Sequence, residues 1–400
     1  MLANRSKNAC APVIRRFSNM RILVLTLSFG SGHVRAAEAV ADELRRKAPA
    51  SNVLVVDALE ECRWLFRACY EWPYWLMLRY APGLWDRFST ARVNQKHEGT
   101  APAWAFRMGC PKVFSTIKSF NPDLIVAVEV AACEMAAIAR RQELTRAPIL
   151  SVITDYEAEP IWVQPEVAGF TVPDENACAE MISWGAPANR ISICGIPVDP
   201  AFDVLHNPKA TRLRHGISDN LPMVLLMGGG MGPTRMDRVI EQLSASDTPM
   251  HIVAVAGKDK RVLRKLERVK VNAPVSLRVV GWTDEVAALM QAARILVTKP
   301  GGVTISEAAL CSLPVVFFDP IPGAEFVNAK RMVDAGAAVV TQGPTETAQA
   351  INFLLQDEKS TEAMALRSQT MARPNARREI ATLALALLEP VAEATRRRTA

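Results

Sequence analysis

The stretch RILVLTLSFGSGHVRAA, residues Arg21–Ala37, is the part of the sequence that indicates the fold. Its continuous apolar run, Arg21–Leu27, is typical of a strand buried on both faces of a parallel sheet. A glycine-rich turn, Ser28–His33, comes next, and an alanine-rich stretch predicts a helix from about His33 to Lys47. Strand, glycine turn and helix in this order open a Rossmann-like βαβ unit.

The same order begins a second time at MVLLM, Met223–Met227, which is followed by the glycines of GGGMG, Gly228–Gly232. The segment Gly195–Pro200 contains two prolines, which fix the backbone and remove hydrogen-bond donors, so we interpret it as a hinge. Further apolar runs predict strands at Val53–Val56, Leu124–Val128, Ile149–Ile153, Phe170–Val172, Ile252–Ala256, Leu277–Val280, Ile295–Thr298 and Val315–Phe318. The sequence therefore predicts an α/β protein with two Rossmann-like domains that face each other across a cleft.

The predicted domain boundaries follow from these landmarks. We expect an N-terminal tail at residues 1–19, a first domain at 20–198 and a second domain at 199–373. The C-terminal helix, at about 374–393, is expected to return to the first domain. With 50% hydrophobic and 22% charged residues, the chain has a globular composition.

Cysteine and histidine patterns give no support for a metal site or a disulfide framework. The eight cysteines include no CxxC pair, and the five histidines form no HxxxH or HExxH motif. In a chain of this length we expect the cysteines to be reduced, small hydrophobic residues. We expect no bound metal.

The location of the protein is predicted from what the sequence lacks. Its longest aromatic and apolar stretch, Trp64–Leu84, is interrupted by charged residues, and a spanning helix needs about 18 or more apolar residues. Residues 1–19 carry basic side chains but no apolar segment of the signal-peptide type. We therefore expect a cytoplasmic protein. The net charge of +6 is modest and spread along the chain, so nucleic acid is not an expected partner.

An aromatic segment between Trp64 and Phe88 breaks the βα alternation. It contains four of the eight tryptophans, three tyrosines and several interleaved arginines. Such a mixture suits the interface of a bilayer, where rings with one apolar and one polar end are favoured. The alternative is that these rings pack a helical insertion onto the first domain.

The first glycine turn contains a candidate base. Glycines after a first strand allow a tight turn that brings helix N–H groups toward a ligand. His33 follows at the predicted helix N-terminus, where the positive end of the dipole disfavours the protonated imidazole. A neutral imidazole is available as a general base. A plain structural turn with a capping imidazole is the alternative.

The second glycine turn, TKPGGVTISE at Thr298–Glu307, predicts an anion-receptive helix N-terminus suited to a diphosphate. Glu307 is expected in the first helical turn, where its carboxylate can accept two ribose hydroxyls. A capping box formed by Thr304 and Glu307 is the alternative. No Gly-Lys-Ser/Thr follows the glycines, and no intact GxGxxG is present, so kinase and dehydrogenase functions are disfavoured.

Five ordered motif regions together resemble the family of monogalactosyldiacylglycerol synthases and processive diacylglycerol glucosyltransferases. These are relatives of the MurG enzymes among the GT-B glycosyltransferases. The resemblance covers about residues 20–370. It rests on SFGSGHVRAA (Ser28–Ala37), VITDYEAEPIW (Val152–Trp162), GIPVDPAF (Gly195–Phe202), MGGGMG (Met227–Gly232), and TKPGGVTISEA with FFDPIPGAEFVNA (Thr298–Ala308 and Phe317–Ala329).

This resemblance implies roles for particular residues. His33 is the implied base that takes the proton from the acceptor hydroxyl. The implied acceptor side consists of Gly30, Gly32, Asp155, Glu159 and Trp162. The implied donor side consists of Gly228, Gly229, Gly230, Gly301, Gly302 and Thr304 around the diphosphate, Glu307 at the ribose, and Glu325 and Asn328 near the sugar.

The resemblance also implies the reaction and its partners. It implies an inverting transferase that needs neither metal nor cofactor and uses a UDP-sugar as co-substrate. The implied acceptor is diacylglycerol or a related lipid. The implied location is the inner face of the membrane, with the protein held peripherally on the membrane surface.

Two positions depart from the family pattern. Glu159 stands where the family usually has a histidine, and Ala324 stands where the usual PGQE has a glutamine. Loss of that amide removes a donor and an acceptor near the sugar, so sugar preference can differ. Three alternatives stay open: a MurG-like transfer to a polyprenyl diphosphate, a nucleotide-sugar epimerase, and a binding protein without catalysis.

Overall fold

The computed structural model describes residues 19–28, 30–80, 100–217, 221–228, 235–320 and 323–399. The predicted N-terminal tail, apart from Asn19, lies outside these ranges. So do the predicted donor-site glycines Gly229 and Gly230 and the part of the aromatic segment beyond Tyr80. Every structural statement that follows concerns the described residues.

The first unit is built on a parallel six-stranded sheet and comprises His33–Asp199 together with the first strand and the C-terminal helix. Its strand order is β2-β1-β3-β4-β5-β6. The strands are β1 (Arg21–Thr26), β2 (Asn52–Asp57), β3 (Leu124–Val128), β4 (Ile149–Val152), β5 (Val167–Val172) and β6 (Ile191–Ile193). The helices are α1 (Ser31–Lys47), α2 (Trp64–Tyr80), α3 (Ala103–Gly109), α4 (Pro111–Phe120), α5 (Val130–Arg141) and α6 (Glu175–Ser183).

The second unit, Pro200–Pro374, has its own parallel six-stranded sheet in the order β12-β11-β10-β7-β8-β9. Its strands are β7 (Met223–Met227), β8 (Met250–Val255), β9 (Val275–Val280), β10 (Ile295–Thr298), β11 (Val315–Phe318) and β12 (Ala338–Thr341). Its helices are α7 (Pro208–Arg214), α8 (Met236–Leu243), α9 (Lys260–Leu266), α10 (Val286–Ala292), α11 (Gly302–Leu310), α12 (Ala324–Asp334), α13 (Pro344–Gln356) and α14 (Glu358–Thr370).

Both sheets reverse their strand order at one point, as Rossmann-like sheets do. In the first unit the reversal lies between β1 and β3, and in the second unit between β7 and β10. Ligands of open α/β sheets bind outside the carboxyl ends of the strands at such a switch point. The prediction of two Rossmann-like domains is confirmed, and each domain has one candidate binding edge.

The central strands are buried on both faces, which explains why they consist mostly of apolar residues. All five residues of β3 and all four of β4 are buried. The sequence missed β6 and β12, which are both edge strands. An edge strand pairs on one side only and can include polar or exposed residues, as Ser192 in β6 and Val340 in β12 illustrate.

The C-terminal helix α15 (Ala376–Thr399) packs against the first unit. Arg377 lies 3.8 Å from the carboxylate of Glu43 on α1, and both side chains are buried. The ammonium of Lys47 donates to the hydroxyl of Thr382 at 2.9 Å. These contacts connect the end of the chain to the helix that carries His33.

The expectation that the cysteines are reduced is wrong at one pair. Cys62 and Cys110, separated by 48 residues, form a disulfide. The amide of Arg63 donates to the carbonyl of Gly109 at 2.7 Å, so the backbones beside the two cysteines are paired as well. The two cysteines meet because the chain between them, which includes α2 and α3, folds back on itself. No local sequence pattern predicts this. The other described cysteines, Cys69, Cys133, Cys178, Cys194 and Cys311, are free thiols.

Among the helices in the described ranges, none has both the length and the apolar character that a bilayer crossing requires.

Candidate active site

His33 lies at the carboxyl edge of the first sheet. Because α1 begins at Ser31, His33 is the third residue of the helix that follows β1. Its Nδ1 atom lies 2.7 Å from Oγ1 of Thr154. Burial lowers the pKa of His33, and the negative charge of Asp155 raises this pKa in part. The imidazole is therefore held in its neutral form, which is the form that can accept a proton.

Thr154 and Asp155 follow β4 at the same edge of the sheet. The amide of Ile153 donates to the carbonyl of Thr171 on β5 at 3.0 Å, so the chain stays attached to the sheet up to this point. Thr154 is 1% exposed, whereas Asp155 is half-buried. The sequence analysis named Asp155 and missed Thr154, although both belong to the quoted VITDY motif.

Glu159 and Trp162 are in the loop that follows. Residues Pro160–Trp162 form a single 3₁₀ turn, in which the amide of Trp162 donates to the carbonyl of Glu159 at 3.1 Å. Trp162 is buried in the hydrophobic core of the first unit. Glu159 is only half-buried. Of these two predicted acceptor-side residues, only Glu159 presents a partly accessible polar side chain.

Gly30 has a conformational reason to be glycine. Its φ of +106° is a backbone conformation that other residues rarely adopt, and a Cβ at this position would meet no atom within 4 Å. The turn into α1 therefore requires this glycine for its backbone shape. Gly32 lies within the first turn of α1, one residue before His33.

Glu129 is a residue of the first unit that the sequence analysis missed. It follows β3, the strand between β1 and β4, and it has a φ of +120°, which is strained for a residue with a side chain. Its Oε2 atom accepts hydrogen bonds from the amides of Ala131 at 2.8 Å and Ala132 at 3.1 Å. The N-terminus of α5 is thus capped by a buried carboxylate of the chain itself. No sequence motif pointed to this residue.

The donor-side glycines of the second unit lie at its switch point. Gly228 follows β7 and is buried, and Gly301 and Gly302 follow β10. Helix α11 begins at Gly302 with Gly301 as its N-cap, and no side chain caps this end. Amide groups at such an uncapped helix start can donate to a phosphate.

Glu307 occupies a different position from the predicted one. It is the sixth residue of α11 and lies in the second turn, so its predicted place in the first turn is wrong. The capping-box alternative is wrong as well, because Gly301 and not Thr304 is the N-cap. Gly302 is already helical, so the helix starts two residues before Thr304 and its N-cap, Gly301, lies three residues before Thr304. Glu307 is 3% exposed, and Thr304 is half-buried.

A buried lysine was also missed. Lys299 follows β10 directly and is buried. Burial lowers the pKa of its ammonium group, while the charges of Glu325 and Asp319 raise it. Asp319, with a φ of +48°, pairs with Arg235, whose Nε lies 2.7 Å from Oδ2. Lys299 is part of the TKPGG motif quoted above, so the motif could have identified it as a candidate residue.

Glu325 and Asn328 are on α12, the helix that follows β11. Glu325 is in the first turn of this helix and is half-buried. Asn328 is fully buried. The electrostatic effect of Glu325 on Lys299 shows that the predicted sugar-side helix and the glycine turn after β10 belong to one region of the second unit.

One aromatic ring stands at the same edge of the second sheet. Trp282 follows β9, and the ammonium of Lys258, which follows β8, lies 4.3 Å from its ring centroid. Trp282 is 48% exposed. An exposed indole of this kind offers a flat face on which a nucleobase can stack. Within the described ranges, no group of three or more His, Cys, Asp or Glu side chains is arranged to hold a metal ion.

Two protein families match successive parts of the chain. Residues 33–198 match the family described as monogalactosyldiacylglycerol (MGDG) synthase, and residues 214–371 match glycosyl transferases group 1. The first match begins at His33 and contains Glu129, Thr154 and Asp155. The second contains the glycine turn after β10 and Glu307.

Similar proteins agree with both matches. The chain is 26% identical over 358 residues to a processive diacylglycerol beta-glucosyltransferase of Bacillus cereus (strain 03BB102), covering 89% of this chain and 91% of the relative. A protein of the same description from Bacillus thuringiensis (strain Al Hakam) matches with the same identity and the same coverage of both chains.

Solved structures show the same fold. MurG of Acinetobacter baumannii aligns with a TM-score of 0.60 at 16% identity, covering 92% of this chain and 100% of MurG. Anabaena Alr3699/HepE in complex with UDP-glucose aligns with a TM-score of 0.55 at 17% identity, covering 94% and 100%. The resemblance seen in the motifs is thereby confirmed. The chain therefore carries an MGDG synthase domain at residues 33–198 and a group 1 glycosyl transferase domain at residues 214–371, on the GT-B fold of the MurG and HepE structures.

Proposed function

We propose that this protein transfers a hexose from a UDP-sugar to the free hydroxyl of diacylglycerol, with inversion at the anomeric carbon, and so makes a glycolipid. The observation that carries the proposal is the position of His33 at the switch point of the first sheet, where its Nδ1 atom lies 2.7 Å from Oγ1 of Thr154 and burial lowers its pKa. This imidazole lies in the part of the chain that matches the MGDG synthase family.

The acceptor belongs to the first unit in this proposal. The acceptor hydroxyl gives its proton to His33 while its oxygen forms a bond to the anomeric carbon. The bond between that carbon and the diphosphate oxygen breaks, and its electron pair leaves with UDP. A single displacement of this kind inverts the configuration. The negative charge of Asp155 raises the pKa of His33 and so helps to stabilise the imidazolium that forms.

The donor belongs to the second unit. The first turn of α11, from Gly302 to Thr304, supplies amide donors for the diphosphate, while the amide of Gly301 donates to the carbonyl of Lys299 at 3.0 Å. The ammonium of Lys299 adds a positive charge beside this turn. These groups stabilise the negative charge that develops on the leaving UDP. We propose that they take the place that a metal ion has in other transferases, so that no cofactor is required. The HepE structure, which holds UDP-glucose on the same fold, supports a UDP-sugar as donor.

The lipid acceptor requires access to a membrane surface, and we propose α2 and α3 as the contact. Trp64 and Trp72 on α2 are 78% and 73% exposed, and Trp104 on α3 is 67% exposed. Phe66 on the same α2 helix instead packs against Phe106, with ring centroids 5.8 Å apart. Some aromatic rings of α2 therefore pack against the first unit, and others are exposed on its surface.

Exposed arginines accompany these exposed rings. Arg63 and Arg67 lie on or next to α2, and Arg107 lies on α3 with its guanidinium 4.6 Å from the ring centroid of Phe114. Basic side chains beside exposed apolar rings favour an anionic lipid surface. The proposed location is accordingly peripheral, on the inner face of the membrane.

A product assay tests the function. Purified protein is incubated with UDP-glucose, UDP-galactose or UDP-N-acetylglucosamine and diacylglycerol vesicles in the presence of EDTA, and lipids are analysed by mass spectrometry. We expect hexosyl-diacylglycerol. The variant His33→Gln should lower its formation by about a hundredfold or more, which is the range for loss of a general base, with unchanged UDP affinity.

The same assay separates the alternatives. Transfer to a polyprenyl-diphosphate acceptor but not to diacylglycerol would favour the MurG-like reaction. UDP binding without any product would contradict catalysis and favour a binding protein. Product that disappears on EDTA treatment and returns with a divalent cation would contradict the metal-free mechanism.

A further inference from the structure

His33 and Thr154 are 121 residues apart in the sequence and are in hydrogen-bond contact in the fold. His33 follows β1, Thr154 follows β4, and β3 lies between these two strands. The hydrogen bond between His33 and Thr154 therefore passes over the carboxyl end of β3. Nδ1 is the nitrogen that faces Thr154, which leaves Nε2 as the other nitrogen of the ring.

Thr154 is a firmly held partner. It is 1% exposed, and the residue before it remains bonded to β5 through the carbonyl of Thr171. A threonine side chain has few rotamers, and a buried hydroxyl needs a protein partner because water cannot replace one. Its oxygen is thus fixed at a defined point 2.7 Å from Nδ1.

A neutral imidazole carries a hydrogen on one nitrogen and a lone pair on the other, and its neighbours decide which. A base that faces Thr154 with Nδ1 must keep its lone pair on Nε2. The opposite tautomer would direct an N–H toward the acceptor, and such a ring accepts no proton from it.

We propose that Thr154 is the positioning residue of the catalytic base: its Oγ1 accepts a hydrogen bond from Nδ1–H of His33 and so directs the lone pair of Nε2 toward the acceptor hydroxyl. This inference rests on the proposed function, because it takes His33 as the base. Thr154 itself touches no reacting atom.

The bond persists through the reaction. The acceptor proton moves to Nε2, the acceptor oxygen bonds to the anomeric carbon, and the bond to the UDP oxygen breaks with its electron pair leaving on UDP. The imidazolium then carries N–H on both nitrogens, and Nδ1–H still donates to Thr154. The ring needs no rotation between the two states, which favours a fast proton transfer.

The tautomer of His33 is measurable without turnover. Protein labelled with ¹⁵N-histidine is studied by two-bond ¹H–¹⁵N correlation, and the His33 signals are those that disappear in His33→Gln. We expect the Nδ1–H tautomer in the native protein and a mixture, or the Nε2–H tautomer, in Thr154→Val. An Nε2–H tautomer in the native protein would overturn the proposal.

Kinetics provide the second readout. Thr154→Val should lower kcat about tenfold and leave KM for the UDP-sugar unchanged, and Thr154→Ser should restore most of the loss. Thr171→Val is the matched control, because it removes another buried hydroxyl of the same sheet. A Thr154→Val enzyme with native kcat, or a Thr171→Val enzyme that loses as much, would contradict the proposal.

The two proposals can fail separately. If the native protein makes no glycolipid, the proposed function fails, and the tautomer measurement still shows whether Thr154 orients His33. If glycolipid forms but the tautomer is the opposite one, the function stands and the role of Thr154 is wrong. Thermal melts of each variant show whether it is folded.

Discussion

His33 is subject to two opposing effects on its charge. Burial lowers its pKa below the usual 6.5, and Asp155 raises it in part. A lowered pKa means that the imidazole stays neutral at pH values where a solvated histidine is already protonated. The proposed base is therefore in its proton-accepting form over the whole neutral pH range.

The pH dependence of turnover follows from these signs. The proposed base accepts a proton only when His33 is neutral, so kcat/KM should stay level through pH 6.5 and fall only as the pH drops through the lowered pKa. Asp155→Asn removes the effect that raises this pKa, so the acidic limb should move to lower pH. The measurement is kcat/KM against pH for both proteins. A limb that moves to higher pH in the variant would contradict this assignment.

Glu307 allows a second prediction at the scale of one residue. Glu307→Gln keeps the size of this buried side chain and removes its charge. If the carboxylate accepts the ribose hydroxyls, UDP affinity should fall about tenfold, since hydrogen bonds to charged groups contribute about 1.5–3 kcal/mol. Isothermal titration with UDP measures this change. Glu362→Gln, at an exposed position on α14, is the control and should bind UDP as the native protein does.

Helices α2 and α3 both carry exposed aromatic rings, so membrane contact is a prediction about these two helices together. The double variant Trp72→Ala/Trp104→Ala should bind vesicles that contain anionic lipid at least tenfold more weakly, because it loses two exposed indole rings that would contact the bilayer interface. Vesicle co-sedimentation measures this affinity. Phe353→Ala, which removes a 58% exposed ring of the second unit, should bind as the native protein does.

The disulfide acts at the scale of the segment that it closes. Cys62 and Cys110 join the two ends of the stretch that holds α2 and α3. A bridge across 48 residues restricts the unfolded chain, and loop-closure entropy gives up to about 4 kcal/mol of stabilisation. Cys62→Ala should therefore lower the free energy of unfolding by about 2–4 kcal/mol.

Denaturant unfolding with and without a thiol reductant checks this value. Cys69→Ala is the control, because Cys69 is an exposed free thiol on α2. The control should unfold like the native protein. If the reductant has no effect on native unfolding, the bridge does not contribute to stability.

Across the whole molecule, both candidate half-sites occupy the switch points of their sheets. His33 and Glu129 flank the reversal between β1 and β3, and Gly228 and Gly301 flank the one between β7 and β10. The two units thus use the same place in the same architecture for different chemistry. The first unit holds His33, the proposed base, and the second has glycine backbone and a buried lysine suited to an anion.

Local sequence patterns were sufficient to predict much of this architecture. Strands such as β3, β7 and β10 begin and end where their apolar runs predicted, because a strand buried on both faces is mostly apolar. Short ordered motifs identified the family and pointed to His33 and the two glycine turns. These features are determined by residues adjacent in the chain, so the sequence by itself determined them.

Other features were decided only by the tertiary structure. The Cys62–Cys110 bridge and the His33–Thr154 hydrogen bond join residues 48 and 121 positions apart. Glu307 lies in the second turn because α11 starts at Gly302. The two glycines are compatible with this start, but the sequence does not determine it. Glu129 has a strained backbone that is held by the elements around it. Each of these depends on which distant parts of the chain pack together, and a local pattern contains no record of that packing.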